Sequence, residues 1–200
     1  PLECISTFGV SAKVNDSPIG YFGTGLKYAL AVLLREGCKV VIFTDRKEYH
    51  FRTEQRDIRG KGFGFIYMNN IALPFTIELG RNWELWEAYR ELYSNCMDEA
   101  GEVVSVGGMR SNALSHGTVI VVDGLDAIHA ESSGFILRSD PKYRLDDVEI
   151  HESKTTSGVF YKGIKVLDLP TKYTYNVLDD LELTEDRTVS QYDALSLIHI

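Results

Sequence analysis

The passage from Leu26 to Thr44 constrains the fold more than any other part of the chain. Residues Leu26–Glu36 are rich in good helix formers, contain no proline and end at Gly37, a residue typical of the position after a helix. Cys38–Thr44 follows at once and reads CKVVIFT, a short apolar run with β-branched residues that predicts a strand. A largely buried helix followed directly by a strand is typical of an α/β layer.

Further helices and strands are predicted along the rest of the chain. A second helix is predicted over 82–100, because apolar residues recur there at spacings of three and four and Gly101 follows. We therefore predict an α/β fold, a two-layer sandwich of mixed, mainly antiparallel sheet with helices on one face. Further strands are predicted at 47–56, 63–68, 71–79, 102–106, 118–122, 160–167 and 173–178, and a helical stretch at 125–138.

Composition excludes several classes of protein. Apolar residues make up 44% of the chain and charged residues 25%, which is the balance of a globular protein and excludes disorder. No stretch approaches the roughly 18 consecutive apolar residues of a membrane span. The 29 acidic and 21 basic residues give a net charge of −8, which argues against non-specific nucleic-acid binding. We expect no membrane partner and, from the net charge, no nucleic-acid partner, with a local basic patch as the alternative.

Cysteine and histidine usage indicates neither a disulfide framework nor a zinc site. The three cysteines, Cys4, Cys38 and Cys96, form no CxxC pair, and their number is odd. The histidines His50, His116, His129 and His151 are scattered without metal-ligand spacing. Because no signal peptide is visible either, we expect a cytoplasmic protein.

Both ends of the sequence look cut. The chain opens on Pro1 without an initiator Met, and it closes on LSLIHI, residues 195–200, which resembles a translated transposon adapter from library preparation. We expect a single α/β domain over residues 1–194, truncated at both ends, followed by a foreign tail. An ordinary strand of coincidental sequence is the alternative for that tail.

A cluster of glycines at the start of the first helix is the first candidate site. Gly20, Gly23 and Gly25 precede Lys27 at the helix entrance. Glycines let backbone N–H groups approach a ligand closely, and a helix N-terminus carries partial positive charge, so the segment could cradle phosphates. A tight structural turn would also select glycine and remains the alternative.

The second candidate site lies on the second predicted helix. Glu91, Asn95 and Asp98 are spaced i, i+4 and i+7, which places them on one polar face. A carboxylate and a carboxamide one turn apart can hold a hydrated magnesium ion and an attacking water. The alternative is a solvated helix face, with Glu84 and Glu87 continuing the same stripe.

The third candidate is Asp123. The apolar strand VIVV delivers this aspartate into a turn that begins with Gly124. The alternative is an ordinary aspartate where a strand enters a turn.

These three segments together resemble the GHKL ATPases, a family that includes gyrase, the ninety-kilodalton heat-shock chaperones, histidine kinases and MutL. RELYSNCMDEAG is similar to their N-box, roughly E-x-x-x-N-x-x-D-A-G. TVIVVDG resembles the following strand, and IGYFGTGLKYALAVLL resembles the later glycine box and its helix. The N-box matches are Glu91, Asn95, Asp98, Ala100 and Gly101, with Glu99 inserted.

The chain departs from the family pattern in two respects. The glycine box precedes the N-box here, so the resemblance requires a circular permutation or a divergent lineage. The family's D-x-G-x-G box is also incomplete, because the chain has DGLDA from Asp123 to Ala127.

The resemblance implies a Bergerat-like fold and an ATP-binding protein in which slow, Mg²⁺-dependent hydrolysis drives a conformational or dimerisation switch, with a homodimer as one state. Asn95 would ligate Mg²⁺ and Glu91 would orient and deprotonate the attacking water. Asp123, desolvated, would accept from the adenine amino group. The phosphates would be held by Gly20, Gly23, Gly25 and Lys27. The alternative is a non-catalytic interaction protein, phage-encoded for example, that keeps the fold without turnover.

Overall fold

The computed structural model describes residues 5, 24–105, 117–152, 157–179, 181, 183–184, 188–190, 192 and 196. The chain divides into two compact units, Pro1–Val14 with Gly20–Ala130, and Asn15–Ile19 with Glu131–Ile200. The single domain over 1–194 stays a prediction, because two compact units are compatible with one cooperative folding domain or with two. The candidate glycines Gly20 and Gly23 lie outside the described residues, as does all of the 195–200 tail except Ser196.

The first unit is an antiparallel sheet with helices. Its five strands lie in the order β4-β3-β2-β1-β5, and every neighbouring pair is antiparallel. In chain order the elements are α1 (Gly25–Arg35), β1 (Lys39–Thr44), β2 (Lys47–Ile58), β3 (Lys61–Met68), β4 (Ile71–Thr76), α2 (Leu85–Asp98), β5 (Val119–Asp123) and α3 (Asp126–Glu131).

Helix α1 is the centre of this unit's core. Its five consecutive residues from Ala29 to Leu33 are completely buried, so the helix is covered on every side by other elements. It packs along α2 and also contacts β1 and β2. On β1, the alternate residues Val40 and Ile42 are buried. This packing explains why the segment has no polar face.

Arg35 ties the end of α1 to the connection between β4 and α2. Its Nη1 donates to the carbonyl of Ile77 at 3.1 Å, and its Nη2 donates to the carbonyls of Gly80 at 3.3 Å and Trp83 at 3.0 Å. One guanidinium therefore satisfies three carbonyls of an irregular segment and holds the start of α2 beside α1.

The second unit contains another five-stranded sheet, in the order β6-β7-β10-β8-β9. Only the β8–β10 pair is parallel, and the other pairs are antiparallel. A turn of 3₁₀ helix at Ser132–Gly134 precedes it. The strands are β6 (Tyr143–Leu145), β7 (Val148–Glu152), β8 (Gly158–Tyr161), β9 (Ile164–Asp168) and β10 (Tyr173–Val177).

The two faces of this second sheet differ in chemistry. One face contributes to a hydrophobic cluster of Val159, Tyr161, Val166, Leu169, Val177 and Val189. Successive strand residues alternate between faces, so the residues next to those apolar ones point the other way. There the structure buries polar side chains, which are Glu149, His151, Thr174 and Asn176.

The predicted fold class is confirmed, since the protein is α/β with two mainly antiparallel sheets and one parallel pair. Three local predictions differ from the structure. Residues 102–105 form no strand, and 125–138 is helical only at Asp126–Glu131 and Ser132–Gly134. The predicted strand 160–167 is the β8–β9 hairpin, whose turn residues Lys162 and Gly163 have φ of 48° and 82°. Strands β6 and β7 were not predicted.

Among the described residues, every helix is too short or too polar to cross a membrane.

Candidate functional site

The start of α1 touches the Glu91 side chain of α2. Gly25 is the first residue of α1, and Thr24 is its N-cap. A Cβ added at Gly25 would lie 2.1 Å from Glu91 Oε1 and 2.7 Å from Oε2, distances that no real Cβ contact allows. The absence of a side chain at Gly25 is therefore what lets this carboxylate approach the backbone of the first helical turn.

The capping box at the start of α2 fixes where the helix begins, and therefore which of its residues face α1. Glu84 is the N-cap of a capping box, and its backbone N–H donates to Glu87 Oε2 at 2.8 Å. Counting from that start, Ala88, Glu91 and Asn95 lie on one side of the helix. Ala88 is completely buried, and its small side chain suits the close packing of the two helices.

The Glu91 carboxylate is buried and hydrogen-bonded. Glu91 is 3% exposed, and its Oε1 accepts from Asn95 Nδ2 at 2.9 Å. A helix N-terminus carries partial positive charge and favours an anion, so the first turn of α1 adds a second stabilising interaction. The alternative of a solvated helix face does not hold for Glu91, because this side chain is buried.

Glu91 and Asn95 present the oxygen chemistry that Mg²⁺ prefers. Because Asn95 Nδ2 donates to Glu91, its Oδ1 is the amide atom with ligand chemistry. No group of three His, Cys, Asp or Glu side chains that could hold a metal occurs within the described residues. Mg²⁺ is commonly bound through one or two protein oxygens together with phosphates and water. Glu91 and Asn95 therefore supply oxygens of the kind that Mg²⁺ takes, and Glu91 is only 3% exposed.

The structure brings together only part of the predicted site. Gly25, Glu91 and Asn95 meet at the α1–α2 contact. Lys27 lies in the first turn of α1 and is 1% exposed, so its side chain is buried in the protein interior. Gly20 and Gly23 lie outside the described residues, and what they contact stays a prediction.

Asp123 is in solvent. It is the last residue of β5, and its side chain is 70% exposed and 3.7 Å from Lys39 Nζ, an ion pair between two exposed groups. The expectation of a desolvated Asp123 was wrong. The physical reason is the register of β5 on β1, which pairs Asp123 with Lys39, the first residue of β1, at the end of an edge strand.

A second polar cluster was missed by the sequence reasoning and lies in the second unit. Ser139 Oγ is 3.1 Å from His151 Nδ1, and His151 Nε2 is 3.7 Å from Glu149 Oε2. Asn176 Nδ2 donates to Glu149 Oε2 at 2.7 Å, and Arg144 pairs with Oε1 of the same carboxylate. Three strands, β6, β7 and β10, and the loop that contains Ser139 supply these residues, so the cluster is non-local.

Competing effects set the ionisation of Glu149. Burial raises the pKa of its carboxyl, but the hydrogen bonds from Arg144 and Asn176 lower it by more, with help from the nearby charges of Arg144 and His151. The pKa of Glu149 therefore lies below its usual range, and the side chain is a carboxylate at neutral pH.

A cleft of about 480 Å³ opens next to this cluster. Ser139 and Thr174 contribute hydroxyls to its wall, and Ile136 and Phe160 contribute apolar surface. The one local signal for these residues is the strand VEIHE, in which Glu149 and His151 share a face at i and i+2. Ser139 lies in a loop, where no periodicity could have linked it to that strand.

No protein-family model, curated protein or solved structure matches this chain.

Proposed function

We propose that this protein binds Mg-ATP at the start of α1, beside Glu91 and Asn95, and hydrolyses it slowly in the cytoplasm to drive a conformational or dimerisation switch. One observation carries the proposal, the contact of Gly25 with the Glu91 carboxylate. The glycine segment and the N-box-like segment are far apart in sequence, and the GHKL resemblance requires them to border one site.

Each side chain has a distinct task in the proposal. The backbone N–H groups at the start of α1 would lie against the phosphates, because a helix N-terminus favours an anion. Asn95 Oδ1 would ligate Mg²⁺, which when bound would neutralise phosphate oxygens. Glu91 would orient and deprotonate the attacking water, and its hydrogen bond from Asn95 would hold the carboxylate in place.

Charge makes the proposed binding depend on Mg²⁺. The Glu91 carboxylate already lies against the first turn of α1, where a phosphate would also bind. Two anions at one helix terminus repel each other unless a cation lies between them. ATP without Mg²⁺ should therefore bind weakly, and removing the charge of Glu91 should relieve that repulsion.

The test is a thermal-shift and turnover series on the full chain. Mg-ATP at about 100 times its dissociation constant should stabilise the wild type by roughly 2.7 kcal/mol, and ATP with EDTA should not. Glu91→Gln should bind ATP more tightly than wild type in EDTA, while its turnover with Mg²⁺ falls ~10²–10⁴-fold. Asn95→Ala should lose the Mg²⁺-dependent part of binding.

The matched control is Glu99→Gln, which removes an exposed carboxylate from the end of the same helix. It should behave as wild type in both assays. A wild-type protein that gains no stability from Mg-ATP would contradict the proposal. So would a Glu91→Gln protein with wild-type turnover, which would remove Glu91 from the chemistry.

A second candidate function is a non-catalytic interaction protein that keeps this fold. The observations that favour it are the exposed Asp123, which leaves the adenine without its expected partner, and the Glu91 carboxylate, which can serve as a structural anion for α1 by itself. In that case Glu91→Gln should lower stability without changing the response to any nucleotide.

A further inference from the structure

We propose that the second unit carries a hydrolytic site in which Ser139 is the nucleophile, His151 its base and Glu149 the positioning residue for His151, acting on small carboxylic esters with an apolar acyl group. The inference rests on the chain of contacts Ser139 Oγ to His151 Nδ1 at 3.1 Å and His151 Nε2 to Glu149 Oε2 at 3.7 Å. It is independent of the nucleotide site.

The surroundings of His151 select one tautomer. Glu149 Oε2 lies 3.7 Å from Nε2, too far for a hydrogen bond, but its negative charge favours the proton on Nε2 over Nδ1, which faces the Ser139 hydroxyl. The lone pair of Nδ1 then accepts the hydrogen of Ser139 Oγ. This assignment gives a nucleophile, a base and an orienting carboxylate in sequence, the arrangement that activates a serine on unrelated folds.

The carboxylate is held from both sides. Arg144 pairs with its Oε1 and Asn176 Nδ2 donates to its Oε2 at 2.7 Å. Asn176 is fixed in turn, because its Oδ1 accepts from the backbone N–H of Gly163 at 2.8 Å. Glu149 is therefore ionised and immobile, as a group that stabilises a protonated imidazole must be.

The nucleophile is accessible from the cleft, and the base lies directly behind it. The His151 side chain is 3% exposed, while Ser139 is exposed and borders the cleft. Within the described residues, the Ser139 hydroxyl is thus the group that can exchange a proton with His151 Nδ1. The 3.1 Å between Ser139 Oγ and His151 Nδ1 is the hydrogen-bond reach that a general base requires.

The cleft suggests the class of substrate. Its volume of about 480 Å³ is that of a small-molecule site. Its apolar lining consists of the half-buried Leu137 together with Ile136 and Phe160, which are each only 1% exposed, so it offers surface to a short acyl chain. Its charged lining residues are Arg138, Asp140, Lys142 and Glu152, two of each sign, and Lys142 pairs with Glu152, so the cleft has no formal net charge. These features favour a neutral ester over an anionic substrate.

The proposed reaction consumes one water and releases an acid and an alcohol. Ser139 Oγ bonds to the ester carbonyl carbon as its proton moves to His151 Nδ1, and the ester C–O bond then breaks as His151 returns that proton to the leaving alcohol. Water attacks the acyl-serine with its proton passing to His151, the bond to Oγ breaks, and the proton returns to Ser139.

The test uses a fluorophosphonate probe and p-nitrophenyl butyrate on the full chain. The probe should label Ser139, with fluoride leaving and phosphorus bonding to Oγ, as read by peptide mass spectrometry. Ser139→Ala should abolish labelling and ester hydrolysis. Ser105→Ala is the control, because Ser105 is an exposed serine that does not line the cleft, and it should leave both unchanged.

Two further variants separate chemistry from folding. His151→Gln should slow labelling of Ser139 by ~10²-fold or more. Because His151 is buried and that variant could misfold, Glu149→Gln is measured beside it and should lower kcat at unchanged KM, a split that a structural role would not produce. Labelling absent from Ser139 in wild type, or ester hydrolysis by Ser139→Ala at the wild-type rate, would overturn the proposal.

Discussion

Glu91 in the first unit and Glu149 in the second are both buried carboxylates, and each accepts a hydrogen bond from an asparagine amide. The donor to Glu91 is Asn95, four residues later on the same helix, at 2.9 Å. The donor to Glu149 is Asn176, which lies 27 residues away on a neighbouring strand, at 2.7 Å. The first pair is made by helix geometry, and the second is made by strand register.

The difference between these pairs explains which of them the sequence revealed. A helix brings residues i and i+4 together wherever it forms, so Glu91 and Asn95 are neighbours as soon as the helix is predicted. Asn176 and Glu149 are neighbours only because β10 pairs with β7 in one particular register. A shift of that register by one residue would turn one of the two side chains to the opposite face.

The largest effect on stability is expected from Gly25→Ala, which tests how closely the first pair is packed. The new Cβ would clash with the Glu91 carboxylate. Glu91 is only 3% exposed, so its side chain is enclosed by protein and cannot simply swing into solvent. We expect a loss of about 2–3 kcal/mol, as overpacking of a buried contact typically costs 1–3 kcal/mol. Urea unfolding measures it.

Gly62→Ala is the control, since an added Cβ there meets only Gln55 Oε1, at 3.7 Å. It should change stability little. Glu91→Ala added to Gly25→Ala should recover part of the loss by removing the obstructing carboxylate. If Gly25→Ala is as stable as Gly62→Ala, the Glu91 carboxylate is not tightly packed against the start of α1.

The next largest loss of stability is expected from Asn176→Ala, and it should exceed the loss from Asn95→Ala. Asn176→Ala removes two hydrogen bonds from a residue that is 5% exposed, leaving Glu149 and the Gly163 N–H without that partner. We expect a loss of about 2 kcal/mol, since an unsatisfied buried group costs ~1–3 kcal/mol. Asn95→Ala, in which a partly buried residue loses one local hydrogen bond, should cost about 1 kcal/mol or less. Chemical denaturation measures both losses. Equal losses of stability for Asn176→Ala and Asn95→Ala would contradict the expected difference between the two asparagines.

A smaller effect should appear as a pH dependence of stability that the Glu149–Asn176 pair produces. The pKa of Glu149 in the folded protein lies below its ordinary value of 4.5, so the unfolded chain binds this proton more tightly. Its contribution to stability is therefore complete above pH 4.5 and is lost as the pH falls through the folded pKa. Urea unfolding at pH 7 and pH 4 should show a larger acid loss for wild type than for Glu149→Gln, and identical losses would exclude the effect.

The smallest effect is expected from Asp123→Asn. Its ion pair with Lys39 joins two side chains that are 70% and 84% exposed. Such surface pairs contribute ~0–1 kcal/mol, so we expect a change of less than about 0.5 kcal/mol in the free energy of unfolding. A larger loss would mean that Asp123 is less solvated than its exposure indicates, and would restore it as a site candidate.

Prediction from the sequence succeeded where the signal was local. The helix at Gly25–Arg35, the strand after it and the second helix follow from periodicity and from the stop residues Gly37 and Gly101. The β8–β9 hairpin was taken for one strand, because its turn residues, Lys162 and Gly163, lie inside a run of strand-forming residues and only their positive φ shows the reversal.

The sequence by itself determined the α/β class, the two principal helices and the shared helix face of Glu91 and Asn95. Tertiary structure decided that this face is buried against Gly25, that Asp123 is left in solvent, and that Ser139 meets His151 and Glu149. The physical reason is the range of the interactions. Helix geometry repeats within four residues, whereas sheet register, helix packing and loop placement depend on contacts between distant segments that no local spacing encodes.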